Sequence, residues 1–307
     1  MDKFFRWLFG NSKQQQQQQP EVNTPDLMNT APLSEQQLHA IVNSQNPRFE
    51  LQQLLASCGQ SVGKQRELNE DSVLAITSTM AGNSNNLPFG LYIVADGMGG
   101  HQFGEVASNA AIRSVAGYVL RKFHPYLFQV KADTLEESFQ EIMQAAVGEA
   151  QRAIQKEAPG SGTTLTAALV VGQQVTVAHV GDSRGYFVYP DGRIEPITRD
   201  HSLVKRLEEL GHITSEEAAN YPHRNVLYRA LGQGEILDPD IFTLGFPQPG
   251  YLMLCSDGLW GVVTEQDLVR AINEAPNLQR ACQNLVNAAN TAGGPDNISV
   301  VLVQLIG

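Results

Sequence analysis

The sequence predicts a protein of the α+β class, in which strands and helices occupy separate stretches of the chain. Apolar segments of strand length follow one another between residues 164 and 197, and their connections are too short to hold crossover helices. Asp191-Gly192, within this stretch, is a hairpin signal. Helical patterns occur in pairs instead, over residues 105–156 and 264–292. A doubly wound parallel sheet would alternate strands with helices, so these runs argue against that class.

The spacing of apolar residues assigns the elements in order. Short apolar runs bounded by turn residues predict strands. The predicted strands cover residues 54–62, 72–78, 91–96, 164–171, 175–180, 185–189, 194–197, 251–256 and 298–306. Apolar residues that recur at helical spacing predict helices. The predicted helices cover residues 105–123, 134–156, 264–274 and 278–292, and the polar stretch 200–232 is also expected to be helical.

The first fifty residues differ in composition from the rest of the chain. Six glutamines at positions 14–19 lead into a stretch rich in Pro, Asn and Thr, so residues 1–33 are predicted to be a disordered segment with a poly-Gln linker. Ser34-x-x-Gln37 is a capping-box pattern, which predicts a short helix and linker over residues 34–50. The globular domain is expected to cover residues 51–307.

Charge and cysteine usage exclude several functional classes. The net charge is −11 and no basic run stands out, so no nucleic-acid partner is expected. No apolar run reaches the roughly 18 residues that a membrane span needs. The aromatic residues at 4–9 favour a frayed terminus over a membrane-surface anchor or docking peptide. Cys58, Cys255 and Cys282 form no CxxC pair, which favours a reducing, cytoplasmic setting.

Carboxylates recur at the ends of apolar strands. Asp96 and Asp257 follow such runs, whereas Asp296 and the pair Glu70-Asp71 precede them. For any one of these positions alone, a solvated turn explains the residue equally well. Carboxylates gathered at strand ends repel one another unless cations lie between them, and oxygen ligands suit Mg²⁺ or Mn²⁺. The repeated pattern therefore predicts a metal site.

Six motifs, each weak alone, lie along the chain in an order that is specific. They are Arg66-Glu-Leu-Asn-Glu70-Asp71, Asp96-Gly-Met-Gly-Gly-His101, Ser161-Gly-Thr-Thr164, Gly181-Asp182-Ser-Arg184, Asp257-Gly258 and Gly294-Pro-Asp296-Asn297. On these motifs the chain resembles the metal-dependent serine/threonine protein phosphatases of the PPM (type 2C) family, in their bacterial form. The resemblance implies two packed antiparallel sheets flanked by helix pairs, an α-β-β-α sandwich, with the metal site at one edge.

The resemblance also implies roles for the acidic residues. Asp96 would bridge two ions of Mg²⁺ or Mn²⁺, and the Gly97 carbonyl would bind one of them. Asp257 and Asp296 would complete the first metal site, and Glu70 would reach the second, largely through water. A hydroxide held between the ions would attack phosphorus in line, without a covalent enzyme intermediate.

Other residues of the motifs leave alternatives open. Arg66 matches the family's phosphate-binding arginine, although a surface arginine is the plainer explanation. Animal members have a histidine where this chain has Met98, so His101 is the nearest candidate for the general acid, or else it packs against the following helix. Asp182 is either a hairpin-turn residue or the ligand of a third, weaker metal ion. Asp71 should point away from Glu70 and is expected to be structural or to support a metal ligand from behind.

The functional prediction is hydrolysis of phosphoserine and phosphothreonine on proteins, opposing a serine/threonine kinase, by a monomeric enzyme. Residues 201–232 resemble the flap that overhangs the site in bacterial members of the family, and this segment would therefore sort substrates. One alternative is a regulatory pseudophosphatase that binds phosphoproteins without turnover; it would lack a metal aspartate, and none is missing. A second alternative is a phosphomonoesterase that acts on small molecules, and activity on phosphopeptides against sugar phosphates or nucleotides would separate it.

Deleting residues 1–33 should leave kcat toward a short phosphopeptide unchanged, because the composition of this segment predicts that it packs against nothing. The measurement is steady-state hydrolysis by the truncated and full chains at equal folded concentration. A loss of activity or of the folding transition would show that the domain begins earlier than predicted.

Overall fold

Two antiparallel sheets form the centre of the protein. The computed structural model describes residues 52–79, 87–99, 103–127, 137–219, 221–223, 225–234 and 238–307. The predicted disordered segment 1–33, the predicted helix and linker at 34–50 and the candidate general acid His101 lie outside the described residues. The domain boundary near residue 51 therefore stays a prediction.

The first sheet is five-stranded and entirely antiparallel. Its strands are β1 (Gln53–Ser61), β7 (Arg184–Val188), β8 (Ile194–Pro196), β10 (Tyr251–Cys255) and β11 (Ile298–Ile306). Their order across the sheet is β1-β11-β10-β7-β8. The strand β11, second in this order, therefore pairs on one side with the first described strand and on the other with β10.

The second sheet is also antiparallel throughout. Its strands are β2 (Asp71–Ser78), β3 (Phe89–Met98), β4 (Gly162–Thr163), β5 (Leu165–Val171), β6 (Gln174–Val180) and β9 (Asp240–Gly245). Five of them follow the order β2-β3-β5-β6-β9, and the two-residue strand β4 pairs with the end of β3.

Helices cover the outer faces, and two short ones lie in the segment between β8 and β9. The helices are α1 (Gly104–Leu127), α2 (Phe139–Glu157), α3 (Leu203–Glu209), α4 (Ser215–Ala219), α5 (Asp257–Trp260), α6 (Glu265–Asn273) and α7 (Leu278–Thr291). The prediction that residues 200–232 are helical is therefore right only over α3 and α4, because the other described residues of the segment form turns and irregular backbone. No helix within the described ranges is long and apolar enough to cross a bilayer.

Period-two alternation along the central strands creates the layers. In β3, Leu91 and Ile93 pack against α1 and α2, whereas Tyr92 and Val94 face the other sheet. In β11, every second side chain packs against α6 and α7, and the side chains in between fill the space between the two sheets. The four layers α-β-β-α confirm the fold class and its expected architecture. The strand residues are buried on both faces, which explains their nearly continuous apolar runs.

Several elements differ from the sequence prediction. The short strand β4 and the short helix α5 have no predicted counterpart. β9 has no predicted counterpart, because it is an edge strand whose residues are only partly buried or exposed and so show no clear apolar run. The helix expected from residue 134 begins at Phe139 instead, because Ser138 and Glu141 form a capping box there. Thr214 and Glu217 also form a capping box at the start of α4, with Glu217 N donating to Thr214 Oγ1 at 3.2 Å and Thr214 N donating to Glu217 Oε2 at 2.8 Å.

Gly258 lets the Asp257 helix pack directly on the segment before β11. A Cβ at Gly258 would overlap the Asn297 carbonyl oxygen, which is backbone and cannot turn away. Gly258→Ala should therefore cost at least about 1–3 kcal/mol of unfolding free energy, as overpacking does. Gly245→Ala is the matched control, since nothing lies within 4 Å of its Cβ position; it should be neutral or stabilising by about 0.4–1 kcal/mol. Urea unfolding of both variants measures the difference, and equal stabilities would contradict the proposed close packing.

Candidate metal centre

Acidic side chains from several segments come together at one edge of the sandwich. Asp71 opens β2 and is the register partner of Asp96, near the end of β3. Asp257 opens α5, and Asp296 lies two residues before β11. Ser256, the residue before Asp257, donates its hydroxyl to Asp71 Oδ2 at 2.7 Å, and the charges of Asp71, Asp257 and Asp296 all help to raise the pKa of Asp96. The structure thus assembles groups that are far apart in the sequence.

Loss of hydration and mutual repulsion both act on this cluster. The pKa of Asp96 is raised well above its usual value, first by removal from bulk water and then by the charges of Asp71 and Asp257. Loss of hydration also raises the pKa of Asp257 to about 6, and Asp296 adds to this shift. For Asp71 the same cause raises the pKa to about 7, although a hydrogen bond from Ser256 opposes the shift. Without a compensating positive charge, the carboxyl groups of this cluster therefore tend to be protonated.

The cluster offers donor atoms that suit a divalent cation. Oδ1 of Asp71 and Oδ1 of Asp257 are enclosed by protein and have no hydrogen-bond partner. Such unpaired carboxylate oxygens are the ligands that hard cations prefer. Among the described residues, no three His, Cys, Asp or Glu side chains already surround a single point as ligands would. Asp296 is turned to Arg66 instead, with Nη2 2.7 Å from Oδ2, so this ion pair takes up one of the negative charges.

Two threonines fix the backbone of Asp96. Asp96 N donates to Thr164 Oγ1 at 2.9 Å, and Thr164 N donates to Asp96 O at 2.8 Å. Thr163 Oγ1 donates to the same carbonyl oxygen at 2.9 Å. Two hydroxyl groups of the Ser161-Gly-Thr-Thr164 motif therefore hold Asp96, the residue at the centre of the acidic cluster.

Asn297 ties the Arg66–Glu70 loop to Asp296. Its side-chain Nδ2 donates to the carbonyl oxygens of Val62 and Leu68, each at 2.8 Å, and its Oδ1 accepts from Glu70 N at 2.8 Å. Three loop positions are thus fixed by one buried amide. The adjacent ion pair between Arg66 and Asp296 spans the same two segments. Asn297 belongs to one of the six motifs, but the sequence predicts no role for it. Its position beside Asp296 is the one feature of the sequence that indicates its importance.

Glycines allow the backbone to close around Glu70. Gly97 N donates to Glu70 O at 3.2 Å, and a Cβ at Gly97 would overlap the Gly104 carbonyl oxygen. A Cβ at Gly104 would in turn overlap Glu70 Oε1. The Gly97 backbone therefore lies beside the Glu70 carboxylate, as expected for two groups that share one cation. Loss of hydration raises the pKa of Glu70, whereas the Arg66 charge lowers it.

Asp182 lies in the turn between β6 and β7 and is buried. Loss of hydration raises its pKa to about 8, and the charge of Asp257 is the next cause. An ordinary hairpin-turn aspartate would be solvated, so burial beside another carboxyl group favours the metal-ligand interpretation. Asp71 is buried beside Asp96, its register partner. This placement fits the expectation that Asp71 is structural or supports a metal ligand from behind.

The metal-free protein should lose stability as the pH rises. The folded-state pKa values of Asp257, Asp71 and Asp182 are about 6, 7 and 8, above the roughly 3.9 of an unfolded chain. The folded state therefore binds more protons, and its advantage is lost as the pH rises through that window. The melting temperature in EDTA should fall between pH 5 and 8, and Asp96→Asn should reduce the fall by removing one charge. A flat profile for the native sequence would contradict the burial of interacting carboxylates.

Comparison with known proteins identifies the family. Residues 58–293 match the model of the protein phosphatase 2C family. The serine/threonine phosphatase stp of Listeria welshimeri is 37% identical over 243 residues, which are 79% of this chain and 92% of that protein. The crystal structure of the Mycobacterium tuberculosis phosphatase PstP/Ppp superimposes with a TM-score of 0.68 at 32% identity, covering 83% of this chain and 100% of that one.

A second structure bears on the acidic cluster. It is the PstP catalytic domain in complex with two manganese ions, with a TM-score of 0.66, 30% identity and coverage of 83% of this chain and 100% of that chain. The resemblance drawn from the six motifs is thereby confirmed: this chain belongs to the protein phosphatase 2C family.

Proposed function

We propose that this chain hydrolyses phosphoserine and phosphothreonine on proteins with the help of divalent cations held by the acidic cluster. The observation that carries the proposal is the gathering of Asp96, Asp257, Asp71 and Asp296 at one edge of the sandwich, with Arg66 beside them. A cluster of carboxylates does not stabilise a protein core, because each ionised group raises the free energy of its neighbours.

The cations would be Mg²⁺ or Mn²⁺, since every available donor is oxygen. Asp96 would contribute to two sites, with Asp257 and Asp296 at the first and the Gly97 carbonyl and Glu70 at the second. Asp182 would bind a third, weaker ion. When bound, such cations lower the pKa of a coordinated water and offset the charge of a phosphoryl group.

Arg66 would hold the phosphoryl group. Its side chain is 48% exposed and already lies against the cluster through Asp296. A guanidinium can pair with two phosphoryl oxygens at once, so an incoming phosphate competes with Asp296 for Arg66. That exchange would free the Asp296 carboxylate for cation binding at the moment when the substrate arrives. His101 remains the proposed general acid for the leaving oxygen.

The partners of this enzyme would be phosphorylated proteins made by a serine/threonine kinase, and the enzyme would act as a monomer. The segment from residue 201 to 232 would sort these substrates. All three cysteines are unpaired thiols, which supports a reducing, cytoplasmic setting.

The pseudophosphatase alternative has no support from the structure, because each aspartate of the cluster is in place. The small-molecule alternative is decided by substrate preference. A phosphothreonine peptide, a sugar phosphate and a nucleotide should be compared with Mn²⁺ and again with EDTA. Efficient hydrolysis of the peptide alone, abolished by EDTA, is the expected result; preference for either small molecule would overturn the protein-phosphatase proposal.

Asp96→Asn should abolish turnover while leaving the fold intact. The amide keeps the shape of the side chain but removes the charge that interacts with the other three carboxylates. Phosphopeptide hydrolysis at saturating Mn²⁺ and a circular-dichroism melt should be measured on the same preparation. A folded Asp96→Asn protein with native turnover would end the proposal that the cluster holds the catalytic cations.

Arg66→Ala should mainly raise KM for phosphopeptides, because it removes a phosphate contact that is present in both the ground and transition states. Arg66→Lys is the matched control, since it keeps the positive charge without the forked geometry, and its KM should lie between the other two. Steady-state kinetics at saturating Mn²⁺ supply both constants. A loss confined to kcat would show that Arg66 contacts the phosphate only in the transition state.

A further inference from the structure

The turn that carries Asp182 is held from every side by other side chains. Gly181 N donates to His201 Nδ1 at 3.1 Å, and His201 N donates to Gly181 O at 2.7 Å. On the far side of Asp182, Ser183 Oγ lies 2.7 Å from Thr164 Oγ1, and Ser183 O accepts from Thr166 Oγ1 at 2.8 Å. A hairpin turn needs none of these contacts to reverse the chain, so they serve to fix where Asp182 lies.

The Asp182 carbonyl oxygen accepts a hydrogen bond from Trp260 Nε1 at 3.0 Å. Trp260 is the last residue of the short helix α5, which Asp257 opens. One indole N–H therefore links the Asp182 turn to the helix that carries Asp257. The charges of these two carboxyl groups act on each other, as expected if their side chains face a common space.

The indole itself is held in place by a buried ion pair. The Arg184 guanidinium carbon lies 3.5 Å from the centroid of the Trp260 ring, a stacked cation–π contact. Arg184 Nε and Nη2 donate to the two carboxylate oxygens of Asp200 at 2.9 and 2.8 Å, and Arg184 Nη1 donates to Tyr186 Oη at 3.0 Å. The guanidinium plane cannot rotate while it holds these partners, so the indole that stacks on it is fixed as well.

We propose that Trp260 is a positioning residue of the metal centre, which holds the Asp182 turn at a fixed place relative to Asp257. Arg184 and Asp200 act through Trp260 by fixing the plane of its ring. This inference rests on the proposed function, because it assigns to Asp182 and Asp257 a shared, weakly bound cation. Trp260 contacts the Asp182 backbone and belongs to the helix that Asp257 opens, so it acts through these two carboxylates.

The test removes one hydrogen bond and keeps an aromatic, smaller side chain at the same position. Trp260→Phe deletes the indole N–H, whereas Tyr92→Phe deletes a buried hydrogen bond to Thr77 Oγ1 (3.0 Å) in the core between the sheets. Mn²⁺ should be titrated into each chelator-treated full-length protein, with free ion measured by its electron paramagnetic resonance signal. Melting temperatures without metal show the purely structural cost of each change.

Trp260→Phe should weaken the weakest Mn²⁺ site by about 10–100-fold, the usual effect of losing a partner behind a ligand, and leave the tighter sites unchanged. The Mn²⁺ concentration for half-maximal phosphopeptide turnover should rise by a similar factor, with kcat recovering at saturating metal. Tyr92→Phe should lower the melting temperature without moving either metal measurement. A Trp260→Phe titration identical to that of the native sequence, with only a lower melting temperature, would overturn the inference.

Two further outcomes separate this inference from the proposed function. A native protein that turns over phosphopeptide with Mn²⁺ but shows no weak site overturns the inference and leaves the function standing. A native protein that binds the weak ion but hydrolyses no phosphopeptide overturns the function. If Trp260→Phe does not fold, Arg184→Lys gives the same test, because it keeps the charge and removes the forked pairing that fixes the ring. Native-like weak binding in that variant would equally overturn the inference.

Discussion

Electrostatic repulsion within the acidic edge is the constraint on which the rest of the structure depends. Asp96, Asp71 and Asp257 are drawn into a region where hydration is reduced, and the pKa of each is raised as a result. A protein core normally excludes such a set, because every added charge makes the next more costly. The surrounding sandwich must therefore be stable enough to hold these side chains together before any cation arrives.

Hydroxyl and amide side chains fix the backbone that carries the acids. Thr164 and Thr163 hold Asp96, Asn297 holds the Glu70 loop, and Trp260 holds the Asp182 turn. In each case a neutral donor or acceptor contacts the backbone and leaves the carboxylate oxygens uncovered. These contacts preorganise the ligands without pairing their charges, which is what a site for divalent cations requires.

The fold and the acidic residues could be predicted from the sequence, because strand alternation, short connections and carboxylates at strand ends are local signals. The edge strand β9 could not, since a partly exposed strand shows no clear apolar run. That Asp71 lies beside Asp96 could not be predicted either, because this pairing depends on the register of β2 and β3. The roles of Asn297 and Trp260 depend on contacts across long sequence separations, and no local pattern reports such contacts.

The position of β11 between β1 and β10 has a consequence for how the protein folds. Arg66 and Asp296 meet across 230 residues of sequence, and β1 pairs with β11 along its full length. Contacts of this kind must close very long loops before they contribute any stability, so folding should be slow and its rate set by non-local pairing. The acidic edge can form only when that pairing is complete. Partly folded chains should consequently be inactive. Dephosphorylation should begin only once a molecule has reached its native topology.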